Sequence, residues 1–135
     1  MKKMFFLIVL AITVIAFFFV FFSSDINIIN KKFLQEFGIE INPSPVSFEE
    51  IIIPKNFDSV YTNYNFLQIQ SGLDLLDFAG YSAVRYTYEI LNFPQNDGKT
   101  VYANVICVGS KPVGGDICCP SLDGFMLPLN YLKVN

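Results

Sequence analysis

The chain opens with nineteen residues, Met4–Phe22, in which Thr13 is the single polar position. As a helix this run would extend roughly 28 Å at ~1.5 Å per residue, close to the hydrocarbon thickness of a bilayer. It predicts a transmembrane helix that serves as an N-terminal anchor. A cleaved secretory signal is the alternative, but its apolar region is usually only about 7–15 residues long and ends in small residues. Cutting after Ser24 would place the bulky Phe22 three positions before the cut, and no cysteine follows the run to carry a lipid. Lys2 and Lys3 precede the apolar stretch, which puts the N-terminus in the cytoplasm and the rest of the chain outside, although Lys31 and Lys32 weaken that bias.

Beyond the apolar run the pattern becomes that of a folded domain. Ser23–Asn27 reads as a polar exit. Apolar residues at 29, 33, 34 and 37 have helical spacing, with Gly38 as a C-cap. Ile39–Ile41 predicts a brief strand, the prolines at 43 and 45 a rigid turn, and Val46–Ile53 a strand ended by Pro54. Asp58 can cap a helix that runs to Gln70 and stops at Gly72, with Phe57, Val60, Tyr61, Tyr64 and Leu67 toward a sheet. Leu73–Gly80 has no periodicity. In Ala83–Leu91, Val84, Tyr86, Tyr88 and Ile90 alternate with polar residues, the period of a half-buried strand. Asn96-Asp97-Gly98 signals a turn, Thr100–Val108 a strand, and Gly109-Ser110 a tight hairpin into Lys111–Cys118. Short turns between successive strands make the sheet antiparallel.

The expected fold is therefore α+β: an N-terminal membrane segment over residues 1–24, then one small domain over 25–135 with an antiparallel sheet and two packed helices. About 110 residues suffice for one core and not for two.

Composition changes this picture in two ways. All twelve acidic residues follow Phe22, where seven of the nine cations also lie, so that part carries a net −5. With no basic stripe interleaved with aromatics, nucleic acid is not an expected partner. The chain also has no histidine, which removes the commonest general base and metal ligand, and with it any Ser-His-Asp or Cys-His machinery.

Several segments, in this order, carry a resemblance to a known family: FLQEFGIEI, IIIPKNFDSVYTNYNFLQIQSGLDL, RYTYEILNFP, VYANVICV, VGGDIC and LDGFM. Over about Phe33 to Met126 the chain resembles the small membrane-tethered bacterial proteins grouped as Domain of Unknown Function 4830. Ile39 stands where that family usually has an aromatic residue, and Gly109-Ser110-Lys111-Pro112 replaces a simpler turn. Cys119 and Pro120 after Cys118 depart from it too. The resemblance implies location and domain size, and it brings no reaction, ligand or catalytic residue.

Few residues are candidates for chemistry. Outside the cytoplasm cysteines often pair. A Gly109-Ser110 turn, however, sets Cys107 opposite Pro112 and Cys118 opposite Val101, with the sulfurs about 20 Å apart at ~3.3 Å per residue. Unpaired, largely buried thiols at Cys107, Cys118 and Cys119 are the expectation, and three cysteines without histidine do not complete a structural zinc site. Gly114-Gly115-Asp116 suggests a β-bulge or strand-end kink, or else a carboxylate on an exposed bend. In the segment 122–126, Asp123-Gly124 forms a turn while Phe125 and Met126 close the core. Asp74, Asp77, Asp116 and Asp123 match no calcium loop and read as solvated turn acids. The tyrosines read mostly as packing, and Arg85 as a partner for Glu89. Gly115, Asp116 and Asp123 remain as candidates for a functional surface, with no catalytic, cofactor or metal residue assigned.

These features suggest a non-enzymatic binding or adaptor module, held at the membrane through Met4–Phe22 and recognising another membrane or envelope protein. The alternative is a small cell-envelope enzyme that uses Asp116 and Asp123. No cofactor is expected.

Overall fold

A computed structural model describes residues 1–94 and 96–134, and for residues 18–25 the backbone alone. A long helix, α1 (Lys2–Glu36), leads into strand β1 (Ser47–Ile52) and helix α2 (Ser59–Gln70). A 3₁₀ turn at Leu75–Phe78 follows, then strands β2 (Ser82–Glu89), β3 (Tyr102–Val108), β4 (Lys111–Cys119) and β5 (Phe125–Leu127), and a short helix α3 (Tyr131–Val134). The five strands pair antiparallel in the order β1-β2-β3-β4-β5, a meander, as the short connecting turns require.

The expected transmembrane helix is corrected here. Among the described residues no helix is long and apolar enough to cross a membrane. Of the expected span Met4–Phe22, residues 18–22 have side chains outside the described residues. Nor does the helix end in a polar exit at Ser23–Asn27. The same α1 continues to Glu36 and places Ile26, Asn30 and Leu34 in the protein core.

Helices cover both faces of the sheet. The second half of α1 lies on the face formed by Tyr88, Ala103, Val105, Cys107 and Ile117, with Ile39, Ile41 and Leu129 closing the layer. Each fully buried aliphatic side chain there contributes about 1.5–3 kcal/mol. Asn30 fixes the rotation of α1 over the strands: its amide nitrogen donates to the Tyr88 hydroxyl at 2.9 Å, and its amide oxygen accepts from the Cys107 thiol at 3.2 Å. The Tyr88 hydroxyl in turn donates to Asn27 Oδ1 at 2.7 Å. Burial pushes the Tyr88 hydroxyl up to about 12. On the opposite face, α2 and the 3₁₀ turn enclose a smaller layer of Ile53, Leu75, Ala83, Ile106 and Val113.

The turns follow their residue chemistry. The Asp58 carboxylate caps α2 by accepting from the Tyr61 amide at 2.8 Å. Gly109 takes φ +60 in the two-residue loop between Val108 and Lys111, the backbone sense of a type II′ hairpin turn. Asp97 and Gly98, both at positive φ, form the turn expected before β3. The expected strand at Ile39–Ile41 reduces to one bridge, Ile41 with Ile90.

One extra residue sets the geometry of β4. Cys107 pairs with Pro112, but Ile106 pairs with Gly114, so Val113 is a bulge. Past the bulge every partner shifts by one: Cys118 lies opposite Tyr102, not Val101 as expected from the turn alone. Because strand side chains alternate, the shift turns Asp116 and Cys118 toward α2, and Gly115 and Ile117 toward α1.

Candidate functional site

Between α2 and the sheet lies an open groove of about 500 Å³. Its apolar walls include Ile51 on β1, Leu67 on α2, Ile106 on β3 and Met126 on β5. Its polar groups are Tyr61 and Tyr64 on α2, Arg85 on β2, Asn104 on β3 and Asp116 on β4. The size and the mixture of apolar wall with a few convergent polar groups suit a small-molecule or peptide site.

The polar groups on the central strands form a ladder across the sheet. Thr87, Asn104 and Asp116 are directly opposite one another on adjacent strands. The Thr87 hydroxyl donates to Asn104 Oδ1 at 2.7 Å, and Asn104 Nδ2 donates to Asp116 Oδ1 at 2.9 Å. From above, the Tyr64 hydroxyl donates to Asp116 Oδ2 at 2.7 Å. Asp116 is thus held on both oxygens and is only 1% exposed. Burial raises its pKa above the ordinary carboxylate value, against the opposing pull of the Tyr64 and Asn104 bonds and of the Arg85 charge. Burial, with the adjoining Asp116 charge, also raises the Tyr64 hydroxyl strongly.

Beside this ladder, α2 turns two amides inward. Asn65 Nδ2 donates to Asp74 at 2.8 Å while its oxygen accepts from the Leu75 amide at 2.8 Å, which ties the 3₁₀ turn to α2. Gln68 Oε1 accepts the Gly115 amide at 2.8 Å, next to the β4 bulge. The Gln68 Nε2 is buried without a hydrogen-bond partner. Gly114 leaves room for this arrangement, since a methyl there would lie 2.8 Å from Leu75 Cδ2 and 3.0 Å from Gln68 Oε1.

The three surface candidates do not form one site. Asp116 lies at the base of the groove, while Gly115 faces the other layer, packed against the Asn104 backbone and Leu129. Asp123 sits in the β4–β5 turn, 77% exposed, and pairs with Lys99 at 2.8 Å. Lys99 holds the Asp123 carboxyl below its ordinary value. The reading of Asp116 as an acid on an exposed bend, or as a solvated turn acid, is corrected by its burial: the β4 bulge carries it under α2. Asp74 caps the 3₁₀ turn and does not converge with it.

Other expectations change for similar reasons. Arg85 pairs with Glu49 at 2.6 Å and not with Glu89, because Glu49 is directly opposite it on β1. Met126 is half exposed in the groove instead of closing the core, whereas Phe125 stacks on Phe93. Val60 is 73% exposed, and the inward stripe of α2 runs through Tyr61, Tyr64, Asn65 and Gln68. That stripe has helical spacing, three, four and seven residues apart, but spacing alone does not mark its amides as buried. All three cysteines are free, with Cys107 under α1 and Cys118 on the α2 side at 3.4 Å from Asn104 Nδ2.

No family model, no curated protein and no solved structure matches this chain.

Proposed function

We propose that the chain is a non-enzymatic binding module that recognises a membrane or envelope protein from outside the cytoplasm. One observation carries this reading: Phe5, Phe6, Leu7, Ile12 and Ile15 on the first half of α1 are each more than 60% exposed. An apolar surface of that extent is costly in water and marks a contact site. The carboxylates give the enzymatic alternative less support. Asp116 is buried with a hydrogen bond on each oxygen, and Asp123 is paired away from the groove. The resemblance to membrane-tethered proteins of unknown function fits the same reading.

The test uses the full chain with a C-terminal tag and a membrane-impermeant crosslinker on intact cells. The expected result is a single recurring protein partner, lost when Phe5, Phe6, Ile12 and Ile15 are all replaced by Gln. Capture that survives this replacement, or no partner at all while the tag is reachable, overturns the proposal.

A further inference from the structure

The groove under α2 is a second place where the surface is unfinished, and its free chemistry has a definite sign. Its acids are already occupied. Asp116 accepts from Tyr64 on one oxygen and from Asn104 on the other, and at 1% exposure it does not present a carboxylate to an incoming cation. The donors are not occupied. Arg85, the single arginine of the chain, carries five N–H groups, and among the described residues only one contact is made, from Nη2 to Glu49. The Tyr61 hydroxyl, in the same groove, has no hydrogen-bond partner among the described residues.

Glu49 indicates what the arginine accepts. Its carboxylate meets the guanidinium at 2.6 Å, yet both side chains are well exposed, at 61% and 44%. An exposed pair of this kind is worth only ~0–1 kcal/mol, so an incoming carboxylate exchanges with it at little cost. The guanidinium fork matches a carboxylate in bidentate fashion. The apolar wall beside it then favours a ligand with an apolar body. The net negative charge of the domain opposes this only weakly, because charges farther than ~8–10 Å are screened in physiological salt.

We propose that this groove binds a small amphipathic carboxylate, with its head on Arg85 in place of Glu49 and its body against Ile51, Leu67 and Ile106. Tyr61 offers the second hydrogen bond to the head group. The site is separate from the apolar half of α1, so its failure leaves the protein-binding reading untouched.

The test titrates the full chain with 4-phenylbutyrate and with its neutral amide, by ligand-observed NMR in a non-ionic detergent. The two probes share the apolar body, and titrations of detergent alone and of the variant with Phe5, Phe6, Ile12 and Ile15 replaced by Gln correct for the stronger partitioning of the neutral amide. The carboxylate is expected to bind at least ~10-fold more tightly than the amide, equivalent to ~1.4 kcal/mol. Arg85→Gln should abolish that preference, and Glu49→Gln, at an exposed position, should increase it by removing the internal competitor. Equal affinity for the two probes, no binding of either, or a preference that survives Arg85→Gln overturns the proposal. Should Arg85→Gln fail to fold, a preference that Glu49→Gln leaves unchanged overturns it as well.

Discussion

Consider a single methyl group added at Gly115. A Cβ at that position would lie 2.3 Å from the carbonyl oxygen of Asn104 and 3.0 Å from Leu129 Cδ1. The first distance is about 1 Å short of the ~3.3 Å at which carbon and carbonyl oxygen normally meet between strands. The obstacle is backbone, so β3 and β4 must part locally. Overpacking of this kind costs about 1–3 kcal/mol. The Gly115 amide would also be drawn away from Gln68 Oε1, and an unsatisfied buried N–H adds about 1–3 kcal/mol. Gly115→Ala should therefore destabilise the chain by about 2–6 kcal/mol, a large part of the ~5–15 kcal/mol that holds a domain of this size together. Gly114→Ala is the internal control. Its methyl would meet the ends of Leu75 and Gln68, which can move, and should cost only ~1–2 kcal/mol. The unfolded chain loses the same conformational freedom in both variants, so that contribution cancels. Urea unfolding of the full chain in mild detergent, followed by far-UV circular dichroism and tyrosine fluorescence, measures the difference. A Gly115→Ala variant no less stable than Gly114→Ala would refute the close approach of Gly115 to β3.

Two further predictions concern titration and reactivity. Because burial raises the Asp116 pKa, the folded state holds its proton more tightly than the unfolded chain does, and stability must fall as pH rises from the unfolded value of ~3.9 through the folded one. The stability of the wild type relative to Asp116→Asn should accordingly decrease between pH 3.5 and pH 7 in urea titrations, and an increase over that range would mean a depressed pKa instead. Burial also pushes the Cys107 thiol up to about 12. At pH 8 a thiol reagent should modify Cys118 while Cys107 stays protected until the chain is denatured, as mass spectrometry of labelled peptides would report; prompt labelling of Cys107 would show that α1 leaves the sheet readily.

The elements that follow from local chemistry were legible in the sequence. Asp58 and Gly72 bracket α2, the alternation of Val84, Tyr86 and Tyr88 marks β2, and Gly109-Ser110 fixes the last long hairpin. Three features depend on distant contacts and were not legible. The apolar leader and the amphipathic segment after it looked like separate helices, yet they form one, because Ser23–Asn27 can be helical when Ile26 has a core to enter. The inward stripe of α2 looked apolar, but Asn65 and Gln68 are buried because backbone donors at Leu75 and Gly115 await them. The position of Asp116 hinged on parity: Gly114-Gly115 suggested a bulge, but which face followed could be settled only by the pairing of Ile106 with Gly114.

That parity bears on how the sequence can vary. Loops of a domain like this tolerate gains and losses of residues, and inside β4 only the unpaired Val113 shares that tolerance. Deleting it would remove the bulge yet leave Ile106 opposite Gly114 and Asn104 opposite Asp116, so every later side chain would keep its face. Loss of a residue past the bulge, at Gly115, would instead set Asp116 opposite Val105 in the layer beneath α1, and Ile117 opposite Asn104 under Tyr64. A one-residue deletion here would do more harm than most substitutions in the same strand. Among natural variants of this chain, differences in length should therefore fall in the turns or at Val113 itself and spare the interval from Gly114 to Cys118.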